Sequence, residues 1–284
     1  MKTGLVLEGG AMRGLFTCGV LDVLMENEIQ FDCAIGVSAG AGFGVNYKSK
    51  QPRRAVSYSL FYADDSRFGS WSSFFKTGNM YDADFCYHDM HIHDVPFDFE
   101  TFKNNPMEFY VVATDIKTGE PVYHKMVDGG FEDLEWIRAS AAMPLVSEVV
   151  ELEGHPLLDG GVADAIPLHY LESQGYDRNV VVLTQPRKFT KERNQFIPMM
   201  RQKYKDNVAL IEDMESRHIR YNQVRKEIFE KEAQGDLFVI APEAPLNIPA
   251  KTSDQSQLIR VYESGRIAAN KVLDDLKNYL NRTK

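Results

Sequence analysis

The chain has 284 residues, 44% of them hydrophobic and 26% charged, and its net charge of −9 argues against a nucleic-acid partner, because phosphate binding needs clustered positive charge. No stretch approaches the roughly 20 apolar residues of a membrane span, and the N-terminal apolar run is too short for a signal peptide. Together with three cysteines that lack metal-ligand spacing, these features favour a cytoplasmic location.

The first 47 residues alternate between strand and helix patterns. A short apolar run at 5–7 ends in glycines, and helical spacing follows over 15–25. A second short strand is predicted at 34–37, and a helix of small residues at 39–47. This alternation predicts parallel strands joined by helical crossovers, and therefore an α/β fold.

The rest of the chain continues this pattern less regularly. The predicted elements are a helix at 53–62, a hairpin at 109–125, a helix at 134–142, a second hairpin at 149–158, a buried strand at 179–184, a long helical stretch at 200–228, a strand at 237–241 and a final helix at 256–280. No linker divides the chain. We therefore expect residues 1–284 to form a single domain, in which 187–235 is a helical elaboration or a lid.

The run Gly36-Val37-Ser38-Ala39-Gly40 lies between a predicted strand and a predicted helix. A serine on such a sharp turn projects its hydroxyl free of the backbone, and the flanking glycines Gly36 and Gly40 tolerate close approach of neighbouring elements. The following helix directs its positive dipole end at the reacting atom. The pattern indicates that Ser38 is a nucleophile. The alternative is a Gly-Ser loop without a catalytic role, which would have the same sequence.

A glycine-rich loop over residues 8–14 also joins a strand to a helix. Successive backbone N–H groups in such a turn form a concave nest for an anion. Beside an activated serine, that anion would be the tetrahedral intermediate of acyl transfer. The loop lacks the Gly-Lys-Ser/Thr ending of a P-loop and does not match G-x-G-x-x-G, which argues against nucleotide binding.

A base must accept the proton of the serine hydroxyl. The tripeptide Asp-Gly-Gly occurs twice, at Asp128 and at Asp159, which Gly160 and Gly161 follow. Asp128 fits a plain turn, which Asp-Gly favours. Asp159 follows two leucines at a strand end, where burial would raise its pKa towards working pH. The tripeptide leaves both residues open, and the strand-end position favours Asp159.

Taken together and in this order, the three motifs resemble the patatin-like phospholipase family. Its members carry a glycine-rich oxyanion loop near the N-terminus, then G-x-S-x-G, then D-G-G or D-G-A. The intervening residues are similar too, since the run RASAAMP at 138–144 precedes LLDGGVADAIP at 157–167. The resemblance extends over residues 4–185, leaves 187–235 unmatched, and selects Asp159 over Asp128.

This resemblance implies a three-layer α/β/α fold with a mostly parallel central sheet, and a serine acyl hydrolase of the phospholipase A or lysophospholipase type. Ser38 and Asp159 would form a catalytic dyad that acts on a lipid or fatty-acyl ester through an acyl-enzyme, without metal or cofactor. The oxyanion hole would come from amides of Gly9, Gly10, Ala11, Met12, Arg13 and Gly14. Where Ala11 stands the family usually has a third glycine; alanine keeps the N–H but is strained if φ is positive.

Several alternatives remain open. An α/β-hydrolase triad would need His169 or His218, but we expect the first at a helix start and the second on a solvated helix face. The histidines of segment 88–94 suggest a metal, yet the segment resembles a loop with surface histidines and no third ligand. The same dyad would serve an acyltransferase, and a non-catalytic lipid-binding protein of the same fold is a further alternative.

Positive charge is concentrated late in the chain. Residues 187–231 hold 12 Lys and Arg against 7 Asp and Glu, a local net charge of +5. A basic segment on an acidic body is compatible with peripheral contact with anionic membrane headgroups, although a solvated helix face explains the same pattern. The apolar stripe from Met200 to Ile228 likewise fits either core packing or a lid that opens on lipid.

Overall fold

The hydrogen-bonded framework of the molecule is one mixed sheet. The computed structural model describes residues 1–68, 73, 78–79, 82 and 84–282. Within these residues the strands are β1 (Lys2–Leu7), β2 (Cys33–Val37), β3 (Glu108–Asp115), β4 (Pro121–Lys125), β5 (Val150–Leu152), β6 (His155–Asp159), β7 (Tyr176–Val182) and β8 (Leu237–Ile240).

Strand pairing follows the path β5-β6-β3-β2-β1-β7-β8, in which β2 and β6 pair with successive parts of one edge of β3, and β4 pairs with its other edge. Strands β1, β2, β3, β7 and β8 are parallel, whereas β4 and β6 run antiparallel to β3, and β5 runs antiparallel to β6. Leu5, Val6 and Leu7 of β1 are fully buried, as expected of a central strand covered on both faces. The prediction of a mostly parallel sheet is confirmed.

Helices cover both faces of the sheet. In the described residues they are α1 (Gly14–Glu26), α2 (Ala39–Lys48), α3 (Arg54–Phe61), α4 (Phe99–Asn104), α5 (Phe131–Ser140), α6 (Leu168–Ser173), α7 (Ile197–Lys203), α8 (Val208–Gln234), α9 (Gln255–Lys271) and α10 (Leu273–Asn281), with 3₁₀ turns at Ala11–Arg13 and Ser66–Phe68 and a π-helix at Phe85–Asp94. None of these described helices has both the length and the apolar character needed to cross a bilayer.

The sheet separates two apolar layers. Leu5 and Leu7 pack into the layer that contains α1, α2 and α9. Val6, whose side chain points the opposite way because strand residues alternate, packs into the layer that contains Tyr221 and Ile228 of α8. This arrangement confirms the three-layer α/β/α fold.

Helices α1 and α9 cross at a point where only glycine fits. A Cβ on Gly19 would lie 2.1 Å from the Tyr262 carbonyl oxygen, and one on Gly265 would lie 1.9 Å from the Phe16 carbonyl oxygen. Real Cβ atoms do not approach backbone oxygens this closely. The two backbones therefore touch directly, which anchors the C-terminal helices to the N-terminal half of the chain.

Three predictions about local structure are wrong. The helix expected over 200–228 is two helices, α7 and α8, because the chain turns at Tyr204, whose side chain is buried and whose hydroxyl accepts the Leu145 N–H at 3.2 Å. The helix expected over 256–280 breaks at Val272, which leaves the helical conformation with φ −111°. The segment expected to be a loop at 88–94 belongs to the π-helix.

Candidate active site

Ser38 occupies the turn between β2 and α2. Its backbone has φ 53° and ψ −124°, a conformation that costs a non-glycine residue roughly 1–3 kcal/mol. Close packing around the turn enforces it. A Cβ on Gly36 would lie 2.6 Å from the Ala41 nitrogen, and one on Gly40 would lie 2.4 Å from the Leu7 carbonyl oxygen. The flanking glycines therefore have the steric role that the sequence predicted.

Ser140, at the end of α5, supports this turn from the far side. Its buried Oγ accepts the backbone N–H of Ser38 at 2.8 Å, and its carbonyl oxygen accepts the N–H of Gly160 at 3.3 Å. A Cβ on Gly160 would lie 2.1 Å from the Val112 carbonyl oxygen, so this position too requires glycine. One residue thus ties the serine turn to the loop that begins at Asp159.

The register of the sheet brings Asp159 next to Ser38. Val37, the last residue of β2, pairs with Val112 of β3, and Asp159, the last residue of β6, pairs with Ala113. Strand β4 occupies the opposite edge of β3 at these positions. Strand β6 therefore pairs with the same edge of β3 as β2 does, directly beyond the end of β2. The two predicted site residues lie at the point where these two strands meet.

The carboxyl group of Asp159 is buried and held in place. Its Oδ1 accepts the Gly161 N–H at 2.7 Å, and its backbone carbonyl accepts the Thr114 hydroxyl at 2.9 Å. Burial raises the pKa of Asp159 above its ordinary value, against the opposing effects of Arg217 and of the hydrogen bond with Ser38. A carboxylate with raised proton affinity beside a hydroxyl has the properties of a general base.

The glycine-rich loop packs directly against the serine. A Cβ on Gly9 would lie 3.0 Å from the Ser38 Cβ. Ala11 has φ 47°, so the position that usually carries a third glycine does require a positive φ here. The 3₁₀ turn Ala11–Arg13 leads straight into α1. The N–H groups of Gly9 and Gly10 make no hydrogen bond within the described part of the chain, so they remain free to donate to an oxyanion.

Glu8 fixes the start of this loop. Its buried carboxylate accepts the Thr184 N–H at 2.6 Å and the Tyr221 hydroxyl. The Thr184 hydroxyl donates to the Gly9 carbonyl oxygen at 2.8 Å. Gly14 packs against the ring of Phe43, where a Cβ would come within 2.8 Å. The loop is fixed at both ends by contacts with distant segments.

Two cavities meet at Ser38. The first, of about 120 Å³, is mainly apolar, and its lining includes Met12, Phe43, Tyr58, Met90 and Ile137. The second, of about 320 Å³, has a mixed polar and apolar lining; we call it the polar cavity because that lining includes Glu8, Arg13, Asp159, Lys191, Arg217 and Tyr221. Ser38, Ala11 and Met143 line both. An ester at Ser38 can therefore extend an acyl chain into one cavity and its alcohol into the other.

The competing aspartate and histidines lie elsewhere. Asp128 accepts the Gly130 N–H at 2.9 Å within its own turn. His169 is the second residue of α6, as expected for a helix start, and pairs with Glu227 at 2.8 Å. His218 is half-buried with its Nδ1 shielded, so the prediction of a solvated face is wrong. Neither histidine lines the cavities at Ser38.

The histidine-rich segment is also not the surface loop that we expected. His88 pairs with Glu135 at 2.7 Å, stacks on Phe131 and is only 12% exposed. The side chains of His91 and His93 lie outside the described residues. Among those that are described, no group of three His, Cys, Asp or Glu side chains is placed to hold a metal ion.

Sequence reasoning missed several residues of this site: Ser140, Thr184, Lys191, Arg217 and Tyr221. Only Ser140 stood in a run that the resemblance singled out. The others come from segments without a motif, and they reach the site because β7 and α8 pack beside the glycine-rich loop. No local signal marks them.

The family model of patatin-like phospholipases matches residues 5–172, more than half of the chain. The chain therefore belongs to the patatin-like phospholipase family and is an enzyme of the lipid acyl hydrolase class. A second model, a domain of unknown function named DUF6363, matches residues 207–281. Helix α8, which supplies Arg217 and Tyr221, falls within this second region.

The chain is similar to the uncharacterized protein YjjU of Escherichia coli K12, with 29% identity over 272 residues, covering 94% of this chain and 75% of YjjU. It is 28% identical over 191 residues to lysophospholipase nte1 of Aspergillus terreus, covering 62% of this chain and 11% of that protein. Among solved structures, VipD from Legionella pneumophila aligns with a TM-score of 0.47 and 12% identity, over 96% of this chain and 67% of VipD.

Proposed function

We propose that this enzyme hydrolyses carboxylic esters of lipids, in the manner of a phospholipase A or lysophospholipase, with Ser38 as nucleophile and Asp159 as general base and acid. One observation carries the proposal. Ser38 stands on a strained turn beside a buried aspartate, at the junction of an apolar and a polar cavity. A protein that only binds lipid could use the two cavities, but it would need neither the strained serine turn nor the buried aspartate beside it.

The first half-reaction transfers the acyl group to the serine. Ser38 Oγ attacks the ester carbonyl carbon while its proton passes to the Asp159 carboxylate. The carbonyl oxygen becomes an oxyanion, which the free N–H groups of Gly9 and Gly10 and the positive end of α1 are suited to stabilise. The intermediate collapses, and the alcohol leaves with the proton from Asp159.

The second half-reaction releases the acid. Water attacks the acyl carbon, and Asp159 accepts its proton. The tetrahedral intermediate then expels Ser38 Oγ, which takes this proton back. The net change is ester plus water to carboxylic acid plus alcohol, and both residues return to their starting state. No metal or cofactor takes part in these steps.

The helical segment 187–235 serves in this proposal as a fixed wall of the site, within a single domain of residues 1–284. Tyr221 and Arg217 bond to Glu8 and to the Gly161 carbonyl oxygen. Ile228 is fully buried against the sheet. A helix with such contacts is part of the core, which favours the wall over the lid interpretation.

Peripheral membrane contact is proposed at the mouth of the polar cavity. Phe196, Met199 and Val208 are 55–60% exposed, and Phe196 also lines the cavity. Lys203 and Lys205 are exposed nearby in sequence, which suits an anionic surface. Sedimentation with phosphatidylglycerol vesicles and with phosphatidylcholine vesicles tests this contact. We expect binding only to the anionic vesicles, and loss of binding in a Phe196→Ser, Met199→Ser variant; equal binding by that variant would remove the proposal.

Fluorophosphonate labelling tests the dyad, because the probe captures only an activated serine near an oxyanion hole. We expect labelling of the wild type, and none of Ser38→Ala or Asp159→Asn. Asp128→Asn is the matched control, since it changes the same residue type in the same tripeptide and should label normally. Labelling that persists in Ser38→Ala would identify another nucleophile and refute the proposal.

A further inference from the structure

Three cationic side chains line the polar cavity beyond Ser38 and Asp159: Arg13 after the glycine-rich loop, Lys191 after β7, and Arg217 on α8. They come from three separate segments, and two of these segments lie outside residues 5–172. Among the described residues that line this cavity, Glu8 and Asp159 are the only acidic ones. The cavity therefore has more positive than negative charge.

This positive charge is not neutralised within the described part of the chain. None of the three cations forms an ion pair there with a carboxylate. The Glu8 oxygens are occupied by Thr184 and Tyr221. Arg217 Nε donates to the Gly161 carbonyl oxygen, and Arg13 Nε is buried without a hydrogen-bond partner among the residues that the structure describes. These groups retain donors for a ligand.

The other positive charges near the cavity affect the pKa of Lys191. Its Nζ lies 4.3 Å from the centroid of the Tyr221 ring. Burial and, to a smaller extent, the charges of the neighbouring arginines together lower the pKa of Lys191 to about 8, against the opposing effect of Glu8. The charged groups that face it are Arg217, Glu8, Arg13, Arg225 and Asp159. A bound anion would relieve this repulsion.

We propose that Lys191, Arg217 and Arg13 form an anion subsite that binds a phosphate on the alcohol portion of the ester. This proposal rests on the proposed function, since the apolar cavity on the other side of Ser38 takes the acyl chain. Arginine and lysine donors from several directions suit the tetrahedral oxygens of a phosphate monoester. A quaternary ammonium is disfavoured, because the carboxylate of Glu8 is already bonded. On this proposal these three side chains, two of them outside residues 5–172, select esters whose alcohol carries a phosphate.

The test measures kcat/KM for two substrates that share one acyl chain, lysophosphatidic acid and monoacylglycerol. We expect the wild type to prefer lysophosphatidic acid by about tenfold or more, the size of one charge-assisted contact. The preference is the ratio of the two kcat/KM values, in which any effect common to both substrates cancels; Lys191→Met should lose it, and Lys191→Arg should keep it. Lys226→Met is the matched control, because the Lys226 side chain is 68% exposed on α8, away from the cavity lining.

A second measurement, of ligand binding, tests the subsite without depending on substrate turnover. sn-Glycerol 3-phosphate should slow fluorophosphonate labelling of the wild type and of Lys226→Met, but not that of Lys191→Met. Raising the pH from 7 to 9.5 should remove the protection, because Lys191 loses its proton as the pH passes about 8. If inorganic phosphate protects as well as glycerol phosphate and lysophosphatidic acid is not preferred, the site binds free phosphate and the headgroup proposal is overturned.

Failure of the subsite and failure of the enzyme are distinguishable. A labelled wild type without protection by either phosphate compound would overturn the subsite and leave the dyad intact. A wild type that is not labelled at all would refute the dyad. In that case a thermal shift by glycerol 3-phosphate that is absent in Lys191→Met would still support the subsite, and no shift would overturn it.

Discussion

The hydroxyl of Tyr221 donates to the carboxylate of Glu8, joining a helix of the DUF6363 region to the first loop of the patatin-like region. Glu8 immediately precedes the glycine-rich loop, and its other oxygen accepts the Thr184 N–H. The conformation of the proposed oxyanion hole therefore depends on a residue 213 positions away.

Tyr221→Phe tests this dependence. We expect a loss of about 1.5–3 kcal/mol in unfolding free energy, typical of a hydrogen bond to a charged group, and slower fluorophosphonate labelling. Tyr123→Phe also removes a hydroxyl that donates to a carboxylate, that of the half-buried Asp164 at 2.8 Å, but away from the cavities at Ser38. It should lower stability and leave labelling unchanged. Equal labelling rates in the two variants would contradict the coupling.

Ala11→Gly should stabilise the protein. Ala11 has φ 47°, and glycine removes the penalty of about 1 kcal/mol that alanine pays in the left-handed region. Urea unfolding measures the change, and the labelling rate should not fall. Ala233→Gly is the control, because the same substitution at an exposed position in the last turn of α8 should cost up to about 1 kcal/mol. Destabilisation by both would show that the Ala11 backbone is unstrained.

Ser140→Ala should slow acyl transfer while leaving substrate binding largely intact. The variant deprives the Ser38 N–H of its acceptor at 2.8 Å, so the strained turn loses a support worth about 1–3 kcal/mol. We expect kcat to fall roughly tenfold or more with little change in KM. Ser173→Ala, at an exposed helix end, should match the wild type. An unchanged kcat would mean that close packing alone holds the turn.

Asp159→Asn should abolish activity and raise the stability of the fold. Burial raises the pKa of Asp159, so above that pKa the folded state carries a charge that the unfolded state accommodates more easily. Asparagine removes the charge and keeps an oxygen for the Gly161 N–H. We expect the variant to be about 1 kcal/mol more stable at pH 7, with the difference shrinking as the pH falls towards 4 and the wild-type carboxyl becomes protonated. Urea unfolding at pH 7, 6 and 5 measures this, and a pH-independent difference would contradict it.

Gly265→Ala should destabilise the crossing of α1 and α9, because the new Cβ would lie 1.9 Å from the Phe16 carbonyl oxygen. Overpacking of this kind costs about 1–3 kcal/mol or more. Gly42→Ala provides the contrast, since its Cβ would have 3.6 Å of clearance and alanine favours the helix. Thermal unfolding should show a lower midpoint for the first variant and an equal or higher one for the second.

The sequence was informative where signals are local. Apolar periodicity and glycine placement predicted the strand–loop–helix units around Gly9 and Ser38, because these patterns depend on neighbouring residues. The register that sets Asp159 beside Ser38 was not predictable from spacing, since β6 runs antiparallel to β3 and continues the edge of β2. The contacts of Tyr221 and Ser140 span 213 and 102 positions, and only tertiary packing defines them.

Because two cavities open on one serine, the two halves of an ester are separated in space before either bond changes. On the proposed mechanism the alcohol departs through the polar cavity, and the space it vacates admits the water of the second step. The acyl chain stays in the apolar cavity until that water has reacted. The proposed mechanism thus implies ordered product release, with the alcohol first and the fatty acid last, and makes the fatty acid the product that competes with substrate for the resting enzyme.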